Sequence, residues 1–392
     1  MVAVIIMMIA ATFIEKFQGT PTALKLVYHN PVFMILWGLA AVSSLWHLIL
    51  EGTEKRFFTL LLHISVAVIL AGALITHFWG KDGQVRLDPG VTVTQWDLED
   101  GTRQDLPAPM TLQEFQIVRY PGSQMPSDYI STVKTGSGSD TRTIVISMNK
   151  IAKIEGYRFY QADYDGDSSI LIVVRDPWGV GVTYLGYLLL LAGMIGFFFQ
   201  RESGLRRALT RLSGYGTGWR RFCYLFPAGL ILALIALFVI FRTGAYSKDA
   251  QLAPVLRSPL LFIHVTPIVL SYILFAALAI IGIIGAISKK AGERLMDLSL
   301  AILYPAVFLI TFGTFLGAVW ANISWGSYWA WDPKETWALI TLLVYAAPLH
   351  GSSVKAFRNP RFFHLYTIIA FLCVLITYFG VNLVLGGMHS YS

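Results

Sequence analysis

Long runs without charge alternate with short loops that carry nearly all the lysine and arginine. Residues 31–50, 57–79, 180–199, 222–241, 260–287, 298–319 and 362–385 each approach or exceed the ~20 apolar residues that a helix needs to cross a bilayer. Residues 2–14 and 337–350 are apolar but shorter. The pattern predicts about nine transmembrane helices. The run at 2–14 has no basic leader and no small-residue cleavage signal, so it reads as a first helix and not as a removed signal. Between 80 and 179 the pattern changes. Ile144, Ile146 and Met148 alternate with polar residues, as do Ile170, Ile172 and Val174, which is the two-residue period of a half-buried strand. Asp165-Gly166 lies between two such segments and signals a hairpin. The chain is therefore read as an all-α polytopic membrane protein with a small β-rich domain outside the membrane. Its parts are 1–79, 80–179, 180–221 and 222–392.

Composition agrees. The 392 residues are 55% hydrophobic and 14% charged. The formal charge of +7 does not indicate nucleic acid, because the basic residues are spread over short loops. One set of loops holds fourteen lysines and arginines and the other six, from Lys16 to Lys334. The positive-inside rule puts the richer set in the cytoplasm. The 80–179 segment, the 320–337 loop and the C-terminus then lie on the outer face of a bacterial cytoplasmic membrane.

Two cysteines, Cys223 and Cys373, sit in apolar runs without a C-x-x-C motif, so dithiol chemistry would come from separate thiol-reducing proteins. Asp163, Asp165 and Asp167 have the spacing of a calcium loop but lack its glycine and its glutamate, Ser168 and Val174 standing there. A plain turn is expected.

The stretch 320–337 reads WANISWGSYWAWDPKETW, with five tryptophans in eighteen residues: Trp320, Trp325, Trp329, Trp331 and Trp337. Aromatic belts at membrane surfaces account for one or two of these. Five, with Trp-Asp-Pro among them, suit a flat apolar platform for a planar ligand such as a porphyrin. Asp332 either orients a ring edge or caps a helix that starts with Pro333.

Eight histidines are spread over an otherwise nearly uncharged set of helices. Neutral imidazole binds iron, and two can complete six-coordinate haem. His264 and His389 share the level of the tryptophan-rich loop. His63 and His350 lie toward the other face and form a second candidate pair, with His47 competing for the place of His63. His364 is expected at the interface, and His29 and His77 at the surface beside the membrane.

The run WANxSWGxYWxWDPKExW, with HVxxxxxSY before it and GxHSY after it, resembles the tryptophan-rich haem-handling proteins of cytochrome c maturation. The nearest resemblance is to the CcsA (ResC) half of system II cytochrome c synthases. The earlier segments ATFIEKFQGTPTAL and HISVAVILAGALITHFWG resemble the CcsB (ResB) half, so the chain is similar to a fused CcsB–CcsA protein with a short external domain. The resemblance implies export of haem b and its attachment to the C-x-x-C-H motif of apocytochrome c. It places external haem at His264 and His389 beside Trp320, Trp325, Trp329, Trp331, Asp332 and Trp337, and transmembrane haem at His350 and His63. Two other classes fit the composition: a haem exporter serving a separate ligase, and a b-type electron-transfer subunit.

Overall fold

The computed structural model describes residues 1–50, 56–245, 253–288, 291–351 and 353–385. His389 lies outside the described residues. The helices are α1 (Val2–Gln18), α2 (Thr20–Ala23), α3 (Pro31–Leu50), α4 (Phe57–Trp79), α5 (Gly179–Phe199), α6 (Gly204–Gly214), α7 (Thr217–Ala245), α8 (Pro259–Ile287), α9 (Gly292–Trp325), α10 (Pro333–Ala346) and α11 (Pro360–Leu375). π-helical turns run over Leu24–Tyr28 and Ile376–Leu385. Among the described residues seven helical segments are long and apolar enough to cross a membrane. The two short apolar runs became α1, with 17 residues, and α10, with 14.

The polar segment folds as one eight-stranded antiparallel sheet, β1 (Lys81–Leu87), β2 (Thr92–Leu98), β3 (Arg103–Arg119), β4 (Pro126–Thr135), β5 (Arg142–Ser147), β6 (Ala152–Ile154), β7 (Tyr157–Asp165) and β8 (Ser168–Arg175). Its order is β5-β4-β3-β2-β1-β8-β7-β6. Asp165 pairs with Ser168, so Gly166 and Asp167 form a two-residue hairpin turn, with Gly166 at φ 59°. This matches the hairpin and the plain turn read from the sequence. Leu87, Met110, Leu112, Val133, Ile146, Phe159, Leu171 and Val173 are fully buried within it. Ser131 Oγ on β4 lies within hydrogen-bond distance of Gln161 Oε1 on β7, at 2.6 Å, and of Ser169 Oγ on β8, at 2.7 Å, although β4 is not their neighbour in the sheet. The sheet therefore curls back on itself around this core.

The helices pack through small residues, as expected where lipid gives no hydrophobic drive between helices. Gly179, Gly186 and Gly193 recur every seven residues along α5 and lie against Thr76, Ile69 and Leu62 of α4. The pairs step antiparallel in register. A Cβ on Gly186 would lie 2.9 Å from the backbone nitrogen of Ile69, so only glycine permits this approach. Asp176 anchors the β-domain end of both helices. It accepts from Thr76 Oγ1 at 2.6 Å and from the backbone nitrogen of Gly179 at 2.7 Å. On the far side the amphipathic α6 is held to α9 by Arg211 and the buried Asp297, 2.6 Å apart.

The β-domain sits on the end of α9. Arg158 on β7 donates to Asn322 Oδ1 at 2.9 Å, Asn322 Nδ2 donates to Tyr184 on α5 at 2.6 Å, and the Tyr160 hydroxyl donates to the Asn322 carbonyl at 3.1 Å. Gly326 ends α9 at φ 90°, where a Cβ would lie 2.8 Å from both Tyr160 and Val174. Asn322 and Gly326 belong to the tryptophan-rich stretch, so part of that motif joins the domains.

Candidate functional site

A cavity of about 1450 Å³ runs from the far side of the bundle to the tryptophan-rich loop, between α3, α4, α5, α9 and α10. That exceeds the ~300–1,000 Å³ usual for a small-ligand pocket. Along α4 it is lined by Thr59, His63, Val66, Leu70, Ala73 and His77, a stripe with alternate spacings of four and three residues. Such spacing keeps the side chains on one helix face.

At the far end His63 meets His350, which follows α10 in a 3₁₀ turn over Ala347–His350. Their ring centres are 6.1 Å apart and their planes perpendicular. Each ring fixes its orientation through Nδ1, His63 to the Thr59 carbonyl at 2.8 Å and His350 to the Ala346 carbonyl at 3.0 Å. If those nitrogens donate, each Nε2 keeps its lone pair for a metal. A metal–imidazole bond is about 2.0 Å, so two imidazoles on opposite sides of one iron have centres about 6 Å apart. The pair fits that span. His47 also lines the cavity, but its Nε2 lies 2.9 Å from Ser353 Oγ.

At the other end the loop is held open by its own polar residues. Asp332 is the N-cap of α10. It accepts from the Lys334 backbone nitrogen at 2.8 Å, with Pro333 in the first turn. Capping, one of the two readings of this residue, is thus its structural role. Glu335 reaches back to the Ala330 nitrogen at 2.9 Å. These bonds position Trp331 at φ 57°, a left-handed conformation that costs a bulky residue energy. Trp331 lies flat on Tyr28, with centres 4.4 Å apart and planes at 11°, and edge-on to Trp329 at 5.7 Å. Trp325, Trp329 and Trp331 line the cavity.

Trp320 and Trp337 do not. Trp337 is buried against α1, its indole nitrogen donating to Thr12 Oγ1 at 3.3 Å. Trp320 is buried beside His264, with ring centres 5.2 Å apart, and edge-on to Trp325 at 5.1 Å. Gly317 of α9 faces the imidazole, where a Cβ would make ordinary contact at 3.4 Å. His264 and the cavity are therefore separate places joined through the tryptophan cluster.

Residues 209–389 match the model of the cytochrome C assembly protein family, and 51–173 match the ResB-like family. The chain is 36% identical over 203 residues to the cytochrome c biogenesis protein CcsA of Guillardia theta, covering 43% of this chain and 67% of that protein. It is 39% identical over 167 residues to CcsA of Chlamydomonas reinhardtii, covering 39% of this chain and 47% of that one. Over 185 residues it is 36% identical to protein NrfI of Wolinella succinogenes, 44% of this chain and 20% of NrfI. The chain thus spans only part of each of these relatives.

The chain belongs to the cytochrome c assembly family. In this CcsA-type protein the assembly region supplies α7 to α11 with His264, His350 and the tryptophan-rich loop. His63 and most of the β-domain come from the ResB-like region. The cavity thus lies between the two regions.

Three further histidines have definite places in the fold. His364 is fully buried, its Nε2 2.9 Å from the Gly292 carbonyl, in space left by Gly285. His29 and His77 are exposed, as the sequence suggested. Their ring centres are 5.1 Å apart, and both line the β-domain end of the cavity. Burial, then His77, pushes the His29 pKa below its ordinary value, with Asp82 opposing. Nothing in the sequence joins positions 29 and 77.

Proposed function

We propose that this chain is a cytochrome c synthase that moves haem b across a bacterial cytoplasmic membrane and attaches it to the C-x-x-C-H motif of apocytochrome c. The observation that carries the reading is the His63–His350 pair, with centres 6.1 Å apart, facing a cavity that continues to Trp329 and Trp331. Haem enters on the face where basic residues concentrate and is taken by the two imidazoles. The apolar stripe of α4 offers its porphyrin face a surface with no competing charge. At the loop, Trp325, Trp329 and Trp331 guide the porphyrin at the end of the cavity, and Trp320 continues from Trp325 to the external site, where His264 and His389 hold the iron.

Attachment is an addition. Each cysteine S–H adds across one haem vinyl group, forming a C–S bond at the carbon next to the ring and placing the proton on the terminal carbon. Nothing leaves and no net electrons move. The protein's part is to hold thiol and vinyl close and in one orientation, an entropic advantage. The substrate histidine then replaces one of the imidazoles on the iron. Separate thiol-reducing proteins keep both cysteines free.

The test is coexpression with an apocytochrome in a host stripped of its own maturation genes, followed by staining a denaturing gel for covalent haem. Staining at the cytochrome's mass, lost in His63→Ala and His350→Ala, supports the synthase. Haem on the purified chain with no stained cytochrome replaces it with an exporter serving a separate ligase.

A further inference from the structure

The face of α4 that lines the cavity begins and ends on a histidine. His63 and His77 are fourteen residues apart, close to four turns, so they point the same way about 21 Å apart. Between them Val66, Leu70 and Ala73 give an apolar track. His63 has a partner imidazole across the cavity in His350. His77 has one in His29, with centres 5.1 Å apart and planes at 55°.

Both members of this second pair are gripped by the tryptophan-rich loop through the residue just before them. Tyr28 stacks on Trp331, and its hydroxyl lies 3.3 Å from Thr336 Oγ1. Thr76 accepts from the Tyr328 hydroxyl at 3.1 Å and itself donates to Asp176. The loop thereby holds the turn that carries His29 and braces α4 just before His77. The separation of the rings is about 1 Å less than two trans iron–imidazole bonds of about 2.0 Å require, so the pair is closed and would open slightly to take iron.

A bare hydrated cation suits the place poorly. Among the described residues no group of three or more histidine, cysteine, aspartate or glutamate side chains is arranged to hold one. Haem iron already carries four porphyrin nitrogens and asks the protein for no more than two axial ligands.

We propose that His29 and His77 form a second imidazole station for haem iron in the same cavity, receiving haem from His63 and His350 and presenting it at the tryptophan-rich loop. The proposal rests on the synthase reading and supplies its missing step between the two levels.

The experiment uses the full chain purified from cells coexpressing an apocytochrome. Wild type, His29→Ala, His77→Ala, His29→Gln, His77→Gln and the double Gln variant are compared for haem per chain, low-spin haem absorption and covalent haem on the cytochrome. The expected result is that all variants retain a low-spin haem, removed by adding His350→Ala, while covalent product falls roughly tenfold. Millimolar imidazole restores the product by occupying the vacated ligand position. Should an alanine variant fail to accumulate, the glutamine variants, polar and closer in size, carry the comparison. Unchanged product and haem content in the double Gln variant would overturn the proposal. So would product restored by glutamine without imidazole, since glutamine cannot serve as the iron ligand and the pair would then be structural. Wild type without haem, or a spectrum insensitive to His350→Ala, would instead sink the synthase reading and this station with it.

Discussion

Tyr28 lies flat on Trp331, with ring centres 4.4 Å apart and planes within 11° of parallel. The contact joins the turn before α3 to the tryptophan-rich loop, 303 residues later in the chain. Trp331 is also one of two non-glycine residues at positive φ among the described residues. The stack therefore helps to keep an unfavourable backbone conformation in place. An aromatic pair contributes about 0.5–1.5 kcal/mol beyond its buried area. Tyr28→Ala is expected to displace Trp331 and to lower covalent haem on a coexpressed apocytochrome about fivefold. Tyr28→Phe, which keeps the stack and loses only the contact to Thr336, is expected to stay within twofold of wild type. Equal losses in both would show that the hydroxyl and not the stack matters.

Asn322 spends its side chain on Arg158 and Tyr184 and its carbonyl on Tyr160. Asn322→Ala removes two of these bonds and leaves partly buried partners unsatisfied, at a cost of about 1–3 kcal/mol each. The expected outcome is faster hydrogen exchange along β7 with the β-sheet core unchanged. Exchange that stays at the wild-type rate would mean that the domain is docked by other contacts.

Gly186→Val places a branched side chain where the Ile69 backbone already lies. Overpacking of this kind costs typically about 1–3 kcal/mol. Thermal unfolding in detergent should move down by several degrees, and the low-spin absorption expected of haem held by His63 and His350 should broaden or weaken. Gly181→Val, on the same helix with nothing within 4 Å, is the control and should leave both unchanged.

Asp82 and Glu99 meet at the β-domain rim of the cavity and share a hydrogen bond. Burial pushes both carboxyls above their ordinary values of 3.8 and 4.5, Asp82 raises Glu99 further, and Glu99 and His29 oppose the rise at Asp82. A carboxyl with a raised folded-state pKa takes up its proton earlier in the folded protein than in the unfolded one. Its favourable contribution is complete below the unfolded pKa and is lost as pH rises through the folded pKa. Glu99→Gln should therefore stabilise the β-domain at pH 7, and the gain should shrink as pH falls toward about 4. A gain independent of pH would mean that titration of this pair is not its cause.

The sequence carried the membrane helices because a bilayer demands long uncharged runs wherever the chain crosses it. The β7–β8 hairpin was legible from Asp165-Gly166 and the alternation around it, and the Asp332 cap from its place before Pro333. The tryptophans were harder. Trp320 and Trp337 look like Trp331 in the sequence, yet they are buried 1% and 3% exposed, while Trp331 faces the cavity. Which indole faces the cavity depends on the turn at Gly326 and on what α1 covers, and no local pattern records either. The same holds for His364, whose burial depends on Gly285 of another helix, and for His29 and His77, which meet only once α4 is placed beside the turn before α3.

The seven-residue glycine repeat on α5 has a mechanical consequence. It fastens α4 to α5 backbone against backbone, so the wall bearing His63 and His77 cannot slide or tilt without breaking that seam. The opposite wall, α3, buries only Phe33 and Leu48. On the proposed function, a porphyrin entering or leaving sideways would therefore move α3, as a door swings on a fixed frame, while the distance between the histidines on α4 stays constant.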